Sequence, residues 1–301
     1  MDINMKKIIK LEGIFPALVV SFTEEGELDL PSIKKNVMFC LDNGCAGVVV
    51  NGSTGEAINL SREERMEVIK AAVEVCKPLG KTVIAGAGAA TTSETLRLVM
   101  DAKDIGADAV LVITPFNNIP NKNGLIKHYT MVADIGLPVI MYNIPGHTGV
   151  TIDMNIFDTL IQHPNIIGMK DSSGDLILMG EIISKYGEDI TLFTGCDNIC
   201  LQIFAMGATA AILCLANVAP KQVVQIFNDV RENRLDEARE IYYKLLPIAN
   251  IISEDVNFPV PVKEATRQIG HSVGNPRLPL TPVSKEDEDK IHEALKYAGI
   301  I

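Results

Sequence analysis

Asn165-Ile166-Ile167-Gly168-Met169-Lys170 is a short apolar run ending in a lysine; Asp171-Ser172-Ser173-Gly174-Asp175 follows, and then Leu176–Tyr186 with helical spacing. Thr191–Thr194 is the next apolar, β-rich run. A buried strand, a polar joint and a helix ahead of another strand make one β/α unit, and its strands run parallel because the helix carries the chain back. The unit repeats outward on both sides. Phe15–Ser21, Gly47–Val50, Thr82–Ala85, Ala109–Ile113 and Pro138–Tyr142 read as strands before it, and Ala210–Leu213 as one after it. Helical stretches alternate with them at Ser61–Cys76, Ser93–Asp104, Asn121–Ile135, Met154–His163, Ile199–Met206 and Pro220–Glu232. Ser61 with Glu64 three residues on is a capping box, and Ser93 is read as an N-cap. A doubly wound sheet alternates in the same way, but eight units in about 230 residues fit a closed (β/α)8 barrel better. From Asn233 the alternation stops, and Leu235–Ile252, Pro261–Ile269 and Lys285–Ala298 read as helices. The expected organisation is an α/β TIM barrel over 1–232 with a helical C-terminal appendage over 233–301.

The 301 residues are 47% hydrophobic and 22% charged, which excludes a disordered or low-complexity chain. The formal charge of −11 offers no basic surface for nucleic acid and disfavours anionic membranes. Met1–Lys10 carries basic residues, but Glu12, Gly13 and Pro16 break the apolar stretch behind it, so it makes a poor signal peptide. No run is apolar and long enough for a membrane span. The six cysteines are scattered without a CxxC, and no His-rich segment completes a zinc set, so no metal is implied. Reduced thiols and a cytoplasmic location are expected.

Chemistry in such a barrel gathers at the C-terminal ends of the strands. Lys170 ends its strand, so its stem starts inside the barrel mouth. Burial disfavours the ammonium form, and the free amine is what an imine-forming lysine needs. Alternatively the side chain snorkels to solvent or pairs with Asp171. Gly52-Ser53-Thr54-Gly55-Glu56 follows the second strand and offers two hydroxyls and free backbone N–H groups. It is either a cradle for a small carboxylate or an ordinary βα turn. Tyr142 is a proton relay or a core aromatic with a satisfied hydroxyl. His147 sits in a Pro/Gly turn near the mouth as a binding group or an exposed loop residue. The Glu56 and Asp197 carboxylates are read as loop holders that accept from backbone N–H groups.

Together these segments resemble the dihydrodipicolinate synthase / N-acetylneuraminate lyase family of pyruvate-dependent class I aldolases. The matching stretches run end to end: Phe15-Pro16-Ala17-Leu18-Val19, Gly52-Ser53-Thr54-Gly55-Glu56, Tyr142-Asn143-Ile144-Pro145, Ile166-Ile167-Gly168-Met169-Lys170-Asp171, Leu215-Ala216-Asn217-Val218, Pro259-Val260-Pro261-Val262-Lys263 and Arg277-Leu278-Pro279-Leu280-Thr281-Pro282. The resemblance implies a barrel with a helical C-terminal region, usually a homotetramer. It makes Lys170 the Schiff-base lysine, Tyr142 a proton relay, and Ser53 and Thr54 the hydroxyls that hold the carboxylate and pass protons. It places the backbone carbonyl of Ile212 beside the bound keto acid, and Gly52, at the head of the same turn as Ser53 and Thr54, is a further substrate-binding candidate. No permanent cofactor is implied, because the imine is the electron sink.

Two positions depart from the synthases. Those enzymes carry an arginine after Tyr-Asn-x-Pro to bind the carboxylate of aspartate semialdehyde, and here the position is His147. They also carry paired tyrosines after the fourth strand, the second reaching a neighbour's site, and here the pair is Phe116-Asn117. The expected activity is therefore a lyase or aldolase acting on pyruvate or another 2-oxo acid and an aldehyde, of the 4-hydroxy-2-oxoglutarate or 2-keto-3-deoxy sugar acid type. His147 and Asn117 become hydrogen-bonding groups for the substrate. The alternatives are an authentic 4-hydroxy-tetrahydrodipicolinate synthase, a deoxy sugar acid dehydratase, and a non-catalytic keto-acid-binding barrel.

Overall fold

The computed structural model of the protein describes residues 10–253 and 256–301; most of the N-terminal stretch discussed above, residues 1–9, lies outside them. Eight strands form one parallel sheet: Gly13–Pro16 (β1), Gly47–Val50 (β2), Thr82–Gly86 (β3), Ala109–Ile113 (β4), Val139–Asn143 (β5), Ile166–Asp171 (β6), Thr191–Thr194 (β7) and Ala210–Leu213 (β8). They pair in the order β1-β8-β7-β6-β5-β4-β3-β2. The seam between β1 and β2 is joined as well. Ala46 N–H donates to the Ile14 carbonyl and Leu18 N–H to the Val49 carbonyl, both at 2.9 Å. The sheet is thus a (β/α)8 barrel, and the doubly wound alternative is excluded. Strands β2, β5, β6, β7 and β8 are buried at every residue, as strands covered on both faces must be.

The helices are Leu30–Asp42 (α1), Arg62–Cys76 (α2), Thr92–Ile105 (α3), Lys122–Ala133 (α4), Pro145–Thr148 (α5), Met154–Leu160 (α6), Leu176–Tyr186 (α7), Cys200–Ala205 (α8), Pro220–Arg231 (α9), Leu235–Ile252 (α10), Val260–Gln268 (α11) and Lys285–Tyr297 (α12). The capping box at Ser61 and Glu64 forms as read. Helix α3 starts earlier than read, because Thr91 rather than Ser93 caps it and accepts from Glu94 N–H at 3.3 Å. Helix α1 was not anticipated, although its signals are present: Asp29 accepts from Ser32 N–H at 3.0 Å and Pro31 sits in the first turn. The first strand is shifted relative to Phe15–Ser21. It pairs with β8 only through Pro16, after which Ala17 bridges to Val49 and the chain passes from one neighbour to the other.

Helices α10 to α12 pack against one another, and α10 packs on α9. Tyr242 of α10 donates to the Asn198 carbonyl at 2.5 Å, tying the region to the loop after β7. All six cysteines are free thiols, and only Cys196 among them is not fully buried. No helix among the described residues is long and apolar enough to cross a membrane.

Candidate active site

Strands β5 and β6 bring the central pair together. Their ladder sets Tyr142 opposite Lys170 and Asn143 opposite Asp171, after a register shift next to Val139 that leaves Ile167 as an extra residue on β6. Such a bulge re-aims the side chains that follow it. Tyr142 and Lys170 share the inward face, and both line a cavity of about 190 Å³ at the barrel mouth. Lys170 is only 5% exposed, and its Nζ lies 4.2 Å from the centre of the Tyr142 ring. Asp171 does not pair with it. Asp171 Oδ2 accepts from Asn143 Nδ2 at 2.7 Å, and Oδ1 accepts from the Ser173 N–H at 3.0 Å and hydroxyl at 2.7 Å. Both the snorkelling and the Asp171-paired readings of Lys170 are thereby excluded.

The lysine stem needs the glycine that follows β7. A Cβ on Gly195 would lie 2.4 Å from Lys170 Cε and 2.1 Å from Ser172 Oγ. Only a residue without a side chain leaves that passage open. The Ser172 hydroxyl in turn reaches the Tyr142 hydroxyl at 3.5 Å.

Gly52, Ser53, Thr54, His147 and Ile212 line the same cavity. His147 is carried on the one-turn helix α5, which Thr114 at the end of β4 anchors by donating to the Thr148 hydroxyl at 2.8 Å. The His147 ring meets Phe258 edge-on at 6.2 Å between centres. A wider adjoining cavity of about 590 Å³ shares Ser53, Tyr142, His147 and Phe258 and adds Phe116. Asn117 lines neither cavity of its own chain. It is exposed with φ +65°, a left-handed conformation that turns it away while Phe116 faces in.

Several residues of the cavity wall were not assigned to it from the sequence. Cys214 sits one residue past β8 and meets the Thr54 hydroxyl at 3.3 Å; burial pushes its thiol up to about 12, so it stays a neutral partner. The strand-end rule that found Lys170 also points to Cys214. Phe258 and Ser253 come from the C-terminal region, and nothing local in the sequence marks them as cavity residues. Asp197 holds its loop as read: Oδ1 accepts from Leu215 N–H at 2.7 Å and Oδ2 from Cys214 N–H at 3.2 Å. It also lines the cavity. A buried primary amine, a phenol, four serine and threonine hydroxyls and a carboxylate in one pocket suit nucleophilic amine chemistry on a carbonyl.

The model of the dihydrodipicolinate synthetase family matches residues 10–298, and the chain belongs to that family. It is accordingly a lyase of the class I aldolase type. A 4-hydroxy-tetrahydrodipicolinate synthase of Methanospirillum hungatei is 40% identical over 94% of this chain and 98% of its own length. Another, from Methanocaldococcus jannaschii, is 38% identical over 96% and 99%. Among solved structures, a chloride-inhibited dihydrodipicolinate synthase of Acinetobacter baumannii in complex with pyruvate superposes with a TM-score of 0.93. It is 35% identical, over 97% of this chain and all of the other. The dihydrodipicolinate synthase of Thermotoga maritima gives a TM-score of 0.92 at 31% identity, over 97% and 99%.

Burial is the main cause that pushes the Asp197 carboxyl up from 3.8 to about 6, against the lowering effect of the Leu215 and Cys214 N–H groups and of Lys170. The folded protein therefore binds this proton more tightly than the unfolded chain. The stabilisation is full below 3.8 and is lost as the pH rises through about 6. The stability advantage of the protein over an Asp197→Asn variant, read from urea midpoints, is expected to shrink between about pH 4 and pH 6 and then level off. A difference that stays flat across that interval contradicts this account.

Proposed function

We propose that this protein is an imine-forming lyase that cleaves or condenses a 2-oxo acid, with pyruvate as one partner. The observation that carries the reading is Lys170, a buried amine against the Tyr142 ring in the cavity at the barrel mouth. The amine adds to the keto carbon, and the carbinolamine loses water to form the iminium. In the cleavage direction the hydroxyl at C4 gives up its proton, the C3–C4 bond breaks, and its electron pair passes to the iminium as an enamine while the aldehyde leaves. The enamine takes a proton at C3, and water releases pyruvate and restores the amine. Tyr142 relays these protons with Thr54, and Ser53, Thr54 and the Gly52 backbone hold the substrate carboxylate. Ile212, which lines the cavity, sets its backbone carbonyl beside the keto acid.

His147 steers the choice of substrate. A charge-assisted bidentate contact from arginine is worth about 1.5–3 kcal/mol, and an imidazole near neutral pH is at most a part-time cation. Without the arginine, capture of a carboxylate-bearing aldehyde falls by roughly ten- to hundredfold. A 2-keto-3-deoxy sugar acid, whose aldehyde half carries hydroxyls and no second carboxylate, fits a hydrogen-bonding wall better. One observation favours a second reading, that of a 4-hydroxy-tetrahydrodipicolinate synthase: relatives of that name reach 40% identity over nearly full length. We further propose a homotetramer in which the segment after β4, with Asn117, meets a neighbouring subunit's site. Ile58, Ile119 and Leu278 are 75%, 71% and 81% exposed, apolar surface that a second copy would cover.

Incubation with pyruvate and borohydride is expected to add one pyruvyl group per chain, on Lys170. Lys170→Ala is expected to stay folded and lose nearly all turnover; a label on another residue, or an active alanine variant, rejects the mechanism. The specificity constant for cleaving 2-keto-3-deoxygluconate is expected to exceed that for aspartate semialdehyde condensation by at least about tenfold. The reverse order establishes the synthase reading. Sedimentation of the active enzyme at micromolar concentration is expected to give a tetramer, and a fully active monomer removes that proposal.

A further inference from the structure

Glu56 closes the turn that carries Ser53 and Thr54. Its N–H donates to the Ser53 carbonyl at 3.0 Å, and Gly55 N–H donates to the Gly52 carbonyl at 3.1 Å. Its backbone is left-handed, with φ +48°. That conformation is unfavourable for a residue with a side chain and persists only where the surroundings enforce it. The enforcing contacts come from the far end of the chain. Lys263 of α11 donates to Glu56 Oε1 at 2.7 Å, with the Lys263 side chain 2% and the Glu56 side chain 0% exposed. Arg277 N–H donates to Oε2 at 3.0 Å, and Asn59 Nδ2 donates to the same oxygen at 3.3 Å. Lys263 and Arg277 both lie over the Phe22 ring, at 4.5 and 4.4 Å. Arg277 also donates to Glu64 at the start of α2.

A fully buried ion pair seldom adds net stability over an apolar pair of the same volume. What it does supply is geometry: the carboxylate has one position that satisfies all its donors, and that position dictates the backbone that carries it. Lys263 lines neither of the two adjoining cavities and Glu56 only the wider one, whereas Ser53 and Thr54 line the inner cavity that holds Lys170.

We propose that Glu56 and Lys263 are positioning residues for substrate binding: the buried pair holds the Gly52–Glu56 turn in the one conformation that aims the Ser53 and Thr54 hydroxyls at the 2-oxo acid carboxylate, and so makes the C-terminal helical region part of the active-site support. The inference rests on the imine-forming reading above. It distinguishes the pair from a purely structural bridge, which would alter stability and leave substrate affinity alone.

The test compares Glu56→Gln, Lys263→Met and the neutral double variant with the unmodified enzyme. Borohydride trapping is followed against pyruvate concentration, and urea midpoints are measured in parallel. Each folded single variant is expected to raise the pyruvate concentration for half-maximal trapping by about tenfold, the equivalent of one charge-assisted hydrogen bond. The trapping rate at saturation is expected to change far less, because Lys170 is untouched. The double variant no longer buries an unpaired charge, so it is expected to recover stability while its half-saturation stays high. Unchanged half-saturation in any folded variant, or its recovery together with stability in the double variant, overturns the proposal. Should Glu56→Gln fail to fold, the double variant and Glu56→Asp carry the same comparison. If the unmodified enzyme itself forms no pyruvate adduct, the imine reading fails and this inference falls with it. An adduct on the unmodified enzyme with unaffected variants defeats the positioning role alone.

Discussion

The pairing of Tyr142 with Lys170 across the β5–β6 ladder is the constraint on which the site depends. Side chains alternate between the two faces of a strand, so a slip of one residue would turn Lys170 out toward the helices. The extra residue at Ile167 sets the phase that brings it inward. Room for the arrangement comes from two glycines. A Cβ on Gly168 would lie 1.7 Å from the Thr191 carbonyl oxygen, so β6 and β7 approach more closely there than a side chain allows. Gly195 then opens the passage for the lysine stem. Burial of the amine, its contact with the phenol ring and the shape of the cavity all follow from that register.

Three buried carboxylates secure the loops around this pair, each by a different bond. Asp171 joins the ends of β5 and β6 through Asn143 and caps the turn at Ser173. Asp197 joins the end of β7 to the turn after β8 through two backbone N–H groups. Glu56 joins the turn after β2 to α11 and to Arg277. A carboxylate accepts several hydrogen bonds at once, so one side chain can fix two segments that share no sequence neighbourhood. Preorganisation of this kind keeps reacting groups in place before substrate arrives, where mobile loops would lose the advantage.

The helical C-terminal region is more than an appendage. Phe258 and Ser253 complete the cavity wall, and Tyr242 ties α10 to the loop after β7. Through Lys263 and Arg277 the region also reaches the turn that carries Ser53 and Thr54. The strands supply the amine and the phenol, while the last quarter of the chain adds Ser253 and Phe258 to the wall around them.

Much of this was legible in the residues. The alternation of apolar runs with helical ones is a local property, and it specified the barrel, most strand limits and the strand ends where Lys170, Tyr142, Ser53, Thr54 and Ile212 gather. Capping and turn chemistry located α2 to within a residue, because the Ser61–Glu64 bonds are made between near neighbours. Helix α1 carries only the local signals of Asp29 and Pro31. What tertiary structure alone decided was every relation between distant segments. The bulge at Ile167 depends on the partner strand, and the space at Gly195 is defined by a lysine 25 positions earlier in the chain. Glu56 could be read as a loop holder, but its partners lie more than 200 residues away at Lys263 and Arg277. Periodicity and caps are written in short-range contacts, whereas burial, charge pairing and cavity shape exist only once the closed barrel has brought remote residues together.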